Sequence, residues 1–209
     1  MFLATVIFKK KGLSGILRDM AKIEFQQVTT RGGDRGESSL ADGERRRKDD
    51  MFFHTLGTID ELNAQLGFVK ASVRSEGDDV HRRFLQTAGD ITRIQESLQK
   101  IAAQVAIPRR SALFEKSPKI TDDDIEEIEI REQSLMERTD LPRVFVNPGD
   151  SPVSASIHVA RTVCRRSERW IVSCIRERGL DYLIPAQKYL NRLADYLFVC
   201  ALWYDQNMK

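Results

Sequence analysis

The chain has 209 residues, enough for one domain with a proper core, and its 33 basic and 31 acidic side chains nearly cancel to a formal net charge of +2. That balance excludes a whole-molecule field for steering nucleic acid and leaves only local basic patches to consider. No apolar run approaches the length of a membrane-spanning helix, so a soluble protein is expected, and Cys164, Cys174 and Cys200 sit singly inside apolar helical patterns, as reduced core thiols of an intracellular protein do and a zinc site does not.

Residues 1–22 read as an N-terminal extension. Lys9, Lys10, Lys11 and Arg18 stand against the single acid Asp19, a composition resembling a weak transit peptide. The competing reading makes Met20 the natural start and what precedes it a translated leader. The corresponding locations are the cytoplasm, which is the primary expectation, or the mitochondrial matrix if residues 1–19 are a transit peptide.

A single domain is expected over residues 23–209, opening with a polar loop at 28–50. This loop is crowded with glycines, hydroxyls and cations: Thr30, Arg31, Gly33, Asp34, Gly36, Ser38, Arg45 and Lys48. Glycines let backbone N–H groups approach a phosphate closely, hydroxyls donate hydrogen bonds, and guanidinium and ammonium groups neutralise charge. The stretch is either a polyphosphate cradle or a disordered polar loop; the Walker spacing is absent. Arg45-Arg46-Arg47-Lys48 has no interleaved aromatics and is too short to read well as a nucleic-acid patch.

Helical periodicity takes over downstream, in a bundle expected over residues 58–206. Ile59, Leu62, Leu66 and Val69 predict a helix over about Thr58 to Arg74, and Val80, Phe84, Leu85, Ile91, Ile94, Leu98, Ile101 and Val105 predict a second over about Asp79 to Ala106. Thr121 followed by three aspartates marks the start of a third, running to about Arg138. Ser151-Pro152 opens a fourth, and Leu190, Leu193, Leu197, Phe198, Ala201 and Leu202 form the stripe of a fifth over about Ala186 to Gln206. The expected fold is all-α: a five-helix antiparallel bundle with ferritin-like up-down packing, preceded by the glycine-rich loop.

The fourth helix carries the strongest chemical signal. Arg161, Arg165, Glu168 and Arg169 share one face, although like charges at i,i+4 repel by a few tenths of a kcal/mol. Such a face holds an anion or meets another subunit; the alternative is a plain surface charge run.

Six blocks in order together resemble one family. Thr30-Arg31-x-Gly33-Asp34-x-Gly36-x-Ser38-x-Leu40, Gly43-x-Arg45-x-x-Lys48-Asp49 and Gly57-Thr58-Ile59-Asp60-Glu61-Leu62-Asn63 are similar to the amino-terminal signature of the PduO-type ATP:cob(I)alamin adenosyltransferases. Phe145-Val-Asn-Pro148-Gly149-x-Ser151, His158-Val-Ala-Arg161-Thr-Val-Cys-Arg165-Arg166-x-Glu168-Arg169 and Tyr189-Leu-Asn191-Arg192-Leu-x-Asp195 resemble its later blocks. The resemblance implies a homotrimer with ATP and cobalamin at the subunit interfaces, and transfer of the 5′-deoxyadenosyl group from ATP to cob(I)alamin with release of triphosphate. A non-catalytic adenosylcobalamin carrier or sensor of the same fold is the alternative. A cobalamin reductase and an adenosylcobalamin-dependent enzyme are the further partners it implies, with no nucleic acid and no membrane.

By the same resemblance, Thr30, Arg31, Gly33, Asp34, Gly36, Ser38, Arg45 and Lys48 wrap ATP, and Arg165, Glu168 and Asn191 complete its site. Glu168 is the candidate Mg²⁺ ligand, with an intrahelical arginine partner as its competing role. Asp60 and Arg161 match a pair that bridges subunits on the corrinoid side, and Phe145 matches the aromatic that displaces the corrinoid's lower axial ligand, whereas on its own it reads as core. Gly32, Arg31, Asp42, His54, Leu56 and Asp150 depart from the usual pattern, mostly around the nucleotide loop. His54, His81 and His158 are expected to take no part in the chemistry.

Overall fold

In a computed structural model, Phe25, residues 29–89 and residues 91–208 are described. The extension over residues 1–22, with Met20 and the lysine run, and Val28 at the head of the loop lie outside the described residues. Among those described, the elements are a hairpin of β1 (Glu37–Ser39) and β2 (Arg45–Arg47), then α1 (Met51–Ser75), α2 (Asp78–Ala88), α3 (Ile91–Ala106), α4 (Asp122–Met136), α5 (Pro152–Arg178), a 3₁₀ turn (Asp181–Leu183) and α6 (Ile184–Asn207).

Two boundaries differ from expectation for physical reasons. α1 begins at Met51, two turns before Thr58, because Asp50 caps it by accepting from the Phe52 N–H at 3.0 Å. Its apolar stripe extends back through buried Phe52, Phe53 and Leu56. Burying a phenylalanine is worth about 1.5–3 kcal/mol, which outweighs the roughly 1 kcal/mol that Gly57 costs inside a helix. The span expected as one helix over residues 79–106 holds two, α2 and α3, because Gly89 adopts φ 80°, a conformation that ends the first. Tyr196 fastens that joint by donating its hydroxyl to the Ala88 carbonyl.

α1, α3, α4, α5 and α6 form the bundle. Side-chain pairs give their directions. Glu61 meets Arg166 and His54 meets Trp170, so α1 and α5 run antiparallel. Cys164 meets the Leu190 carbonyl and Ser151 meets Asp205, so α5 and α6 do too. Lys70 meets Thr92 across α1 and α3, and Lys100 meets Asp124 across α3 and α4. The last neighbours, α4 and α6, run parallel, with Glu129 against Arg192 and Asp140 against Gln206. The up-down alternation along the chain is therefore kept, and the one parallel pair is what closing an odd number of alternating helices requires.

The core is the inner stripe of each helix: Leu62 and Leu66 of α1, Ile101 of α3, Ile157 of α5 and Leu190 and Leu193 of α6 are completely buried. All three cysteines are free and buried, as their apolar settings predict. Thr121 forms a reciprocal capping box with Asp124 at the start of α4, and Ser151 caps α5 by accepting from the Ser154 N–H at 3.1 Å. The hairpin, expected as a loop without strands, packs at the end of the bundle near the start of α1. Ala41 donates to the Ala106 carbonyl at 3.0 Å, and Arg46 stacks its guanidinium on Phe52 at 4.7 Å.

Candidate functional site

The glycine-rich segment is a built turn. Asp34 N–H donates to the Arg31 carbonyl, Gly36 N–H to the Gly33 carbonyl and Lys48 N–H to the Gly36 carbonyl, at 3.3, 3.1 and 2.8 Å. Arg31 (φ 54°) and Gly36 (φ 77°) both turn left-handed to shape it. Arg45 braces it from beneath, donating to the Gly32 carbonyl at 2.8 Å and to Glu37 at 3.2 Å. The Lys48 ammonium lies over Gly33, where an added Cβ would stand only 2.8 Å from Nζ. Thr30, Arg31, Asp34 and Gly36 are exposed, whereas Ser38 is buried within the hairpin opposite Arg46. Lys48 is an exposed cation with no carboxylate partner among the described residues.

Two of the departures around this loop, Asp42 and His54, have local explanations. Asp42 does not project an anion at a nucleotide. Its carboxylate accepts from the Glu44 N–H at 3.0 Å and pairs with Arg110 at 3.3 Å. His54 stacks on Trp170 with ring centroids 4.6 Å apart and 5° between planes, tying α1 to α5. Together they wall a cleft that also includes Arg46, Arg47, Arg178, Asp49 and Asp50. Each of its three arginines already has a carboxylate partner: Arg47 has Asp49 at 2.5 Å, Arg46 has Glu44 at 2.9 Å, and Arg178 has Asp50 at 3.5 Å.

Unneutralised positive charge lies elsewhere, on α5. Among its arginines, Arg166 pairs with Glu61 of α1. Arg161 and Arg165, one turn apart, have no carboxylate partner among the described residues, and burial together with the Arg165 guanidinium pushes the Arg161 pKa below its ordinary value. Arg161 lies over the Phe198 ring at 5.9 Å, and its buried Nε has no hydrogen-bond partner among the described residues. Glu168 is not bound to an arginine of its own helix. It accepts from the Asn191 amide of α6 at 3.3 Å, which sets aside the intrahelical reading.

Asp60 is exposed on α1, and within the protomer it makes no ion pair with Arg161. The register that joins Glu61 to Arg166 puts Asp60 about 9 Å along the helix from Arg161, at 1.5 Å per residue. Phe145 is wholly exposed in the segment between α4 and α5, with Val144 beside it, so the core reading of this phenylalanine is corrected. His158 is buried against Phe198, both ring nitrogens lack partners, and burial holds its pKa below the usual histidine value, keeping it a neutral packing residue. No group of three or more histidine, cysteine, aspartate or glutamate side chains is placed to hold a metal among the described residues. A lone carboxylate such as Glu168 suits Mg²⁺ when phosphate oxygens and waters supply the other ligands.

The glycine loop and the arginine helix stand at different levels of one protomer. Arg178 touches Asp50 at the base of the hairpin, whereas Arg165 lies thirteen residues earlier on α5, about 20 Å away along the axis. Composition alone could not reveal this separation. Glu129 and Arg192 extend the Glu168–Asn191 pair on to α4; Arg192 stands beside Asn191 in its signature block, whereas no sequence signal marked Glu129.

A family model described as cobalamin adenosyltransferase matches residues 28–204. Among curated proteins, corrinoid adenosyltransferase MMAB of Homo sapiens is 36% identical over 178 residues, spanning 84% of this chain and 67% of the relative. The corrinoid adenosyltransferase of Citrobacter freundii is 33% identical over 175 residues, spanning 84% of this chain and 93% of the relative. Among solved structures, a variant of the PduO-type ATP:co(I)rrinoid adenosyltransferase from Lactobacillus reuteri complexed with ATP superposes with TM-score 0.68 at 27% identity, over 85% of this chain and 93% of that one. Another variant of that protein, complexed with cobalamin and ATP, shares the fold at TM-score 0.70 and 24% identity, over 86% and 93% of the two chains. With its signature blocks in order and the helical bundle in place, this chain belongs to the cobalamin adenosyltransferase family.

Proposed function

We propose that the protein transfers the 5′-deoxyadenosyl group of ATP to cob(I)alamin, and that Arg165 beside the Glu168–Asn191 pair grips the triphosphate. The observation carrying this reading is that Arg165 has no carboxylate partner among the described residues, while the arginine next to it is neutralised by Glu61. A guanidinium held without a counter-ion supplies paired donors for a phosphate oxygen. The nucleophile is cobalt(I) of the substrate. The cobalt electron pair forms the bond to C5′, the C5′–O bond breaks, triphosphate leaves with the electron pair of that broken bond, and cobalt ends formally as Co(III). Negative charge grows on the leaving group, where Arg165, Lys48 and Arg31 act as preorganised cations. Thr30, Gly33, Asp34, Gly36 and Ser38 shape the cradle around it, with Arg45 bracing from behind. Glu168 and Asn191 are the residues to hold Mg²⁺ or the ribose, the metal arriving on the phosphates and offsetting their charge. No side chain has to serve as nucleophile or general base.

The active form is a homotrimer in this reading. The separation of the glycine loop from Arg165 within one protomer supports a site assembled from two neighbours. So does the absence of an ion pair between Asp60 and Arg161, a pair that would form across the interface and fix its register. The exposed Phe145 and Val144 supply the apolar wall of the corrinoid chamber, with Phe145 excluding the lower axial ligand. Cytoplasm is the location in this reading, with a cobalamin reductase upstream and an adenosylcobalamin-dependent enzyme downstream.

Purified protein mixed with ATP and chemically reduced cobalamin should yield adenosylcobalamin, seen in its absorption spectrum, with one triphosphate per corrinoid. Binding of ATP and corrinoid without product would replace the enzyme with a carrier of the same fold.

A further inference from the structure

We propose that Glu129 of α4 is a positioning residue for the nucleotide site: by gripping the Arg192 guanidinium it orients the Asn191 amide toward Glu168 and keeps Arg192 off the Glu168 carboxylate. The proposal rests on the reading of Glu168 and Asn191 as nucleotide-site residues.

The relay is continuous over three helices. Glu129 Oε1 accepts from Arg192 Nε at 2.7 Å, Arg192 Nη1 donates to Asn191 Oδ1 at 2.8 Å, and Asn191 Nδ2 donates to Glu168 Oε1 at 3.3 Å. Its polarity follows from the groups themselves. A guanidinium has only donors and a carboxylate only acceptors, so the amide between them has one satisfactory orientation, oxygen toward Arg192 and nitrogen toward Glu168. One amide N–H and the second Glu168 oxygen are left to meet a ligand.

Arg192 has competing attractions. Burial holds the Glu132 carboxyl above its usual range, and Asp195 and Glu129 push it further while Arg192 opposes them. Glu132 therefore stands close enough to interact with Arg192, alongside Asp195 and Glu129. Without Glu129, the guanidinium has Glu132 and Asp195 to turn to, which frees the Asn191 amide to flip, or Glu168 itself, which neutralises the carboxylate that nucleotide and metal require. The Arg192–Glu129 pair is 40% and 46% exposed. At that exposure an ion pair adds little to stability, so the role of Glu129 is separable from folding.

The test measures ATP affinity by calorimetry on the full chain, in wild type, Glu129→Ala, Glu129→Gln, Asn191→Ala and the Glu129→Ala/Asn191→Ala double variant. Glu129→Ala should weaken ATP binding about tenfold, the loss expected for a misdirected hydrogen bond to a charged group. Glu129→Gln should fall between, since its amide oxygen still accepts from Arg192. In the Asn191→Ala background the Glu129 substitution should add almost nothing, because its effect passes through that amide. Thermal midpoints of wild type and Glu129→Ala should agree, as should their cobalamin affinities. Unchanged ATP affinity in Glu129→Ala, or the same loss with and without Asn191, overturns the positioning role while leaving the proposed function intact. Wild-type protein that does not bind ATP overturns both, and wild-type protein that binds ATP but forms no adenosylcobalamin overturns the transferase reading alone.

Discussion

The Lys48 ammonium rests over the backbone of Gly33, so close that a single methyl group at residue 33 would come within 2.8 Å of Nζ. Lysine and glycine thus form one device, a bare backbone over which an unpaired cation is parked at the mouth of the loop. Gly33→Ala should push Lys48 outward and leave the bundle alone. The expected result is a KM for ATP raised about tenfold, equivalent to about 1.4 kcal/mol, with an unchanged KM for cob(I)alamin. Steady-state kinetics with each substrate varied in turn will decide it, and an unchanged KM for ATP would remove Lys48 from the cradle.

Arg165 is exposed and has no carboxylate partner among the described residues, so truncating it breaks no ion pair among them. Arg165→Ala should retain the helical circular dichroism and thermal midpoint of wild type yet lose about 10²–10³ in kcat, the range seen when a donor to developing negative charge is removed. Near-normal turnover would exclude Arg165 from the triphosphate site.

Phe145 projects fully into solvent and contributes nothing to the core of the protomer, so Phe145→Ala should not lower its stability. Its effect should depend on the oxidation state supplied. Reaction started with pre-reduced Co(I) should be impaired less than reaction started from Co(II), since only the second requires removal of the lower axial ligand. Equal losses from both starting points would contradict the ligand-displacing role.

The Asp124 carboxylate gives the bundle a pH dependence of definite sign. Burial tends to raise its pKa, but hydrogen bonds from Lys100 and from the Thr121 backbone and hydroxyl outweigh burial and lower it. A group whose folded pKa is depressed stabilises the fold above its unfolded value, about 3.9 for aspartate, and this contribution disappears as pH falls through the folded value. Asp124→Asn should therefore cost about 1 kcal/mol at neutral pH, a typical cap contribution, with the gap to wild type closing as pH falls below 4. Thermal melts over a pH series will measure that gap, and a gap independent of pH would mean that the Asp124 charge does no work in the fold.

What could be read from the chain alone was whatever depends on near neighbours in sequence. The apolar spacing of Leu62, Leu66 and Val69, the Thr121 and Ser151 caps and the apolar settings of the cysteines all express local geometry, and each appears in the fold as expected. The ordered signature blocks likewise carried the family. Boundaries were legible only where local signals were not outweighed: α1 runs past Gly57 because Phe52 and Phe53 find a core to enter, a fact of packing that no window of sequence contains.

The division of labour among charges was decided by tertiary structure. On the α5 sequence Arg161, Arg165 and Arg166 are chemically equivalent; the register of α1 against α5 gives Glu61 to Arg166 and leaves the other two unneutralised. The same holds for Glu168, whose partner comes from α6, and for Asp42, which Arg110 neutralises from a distant loop. Ionic partners are chosen by distance in space, and distances between helices far apart in sequence exist only once the core has set the register.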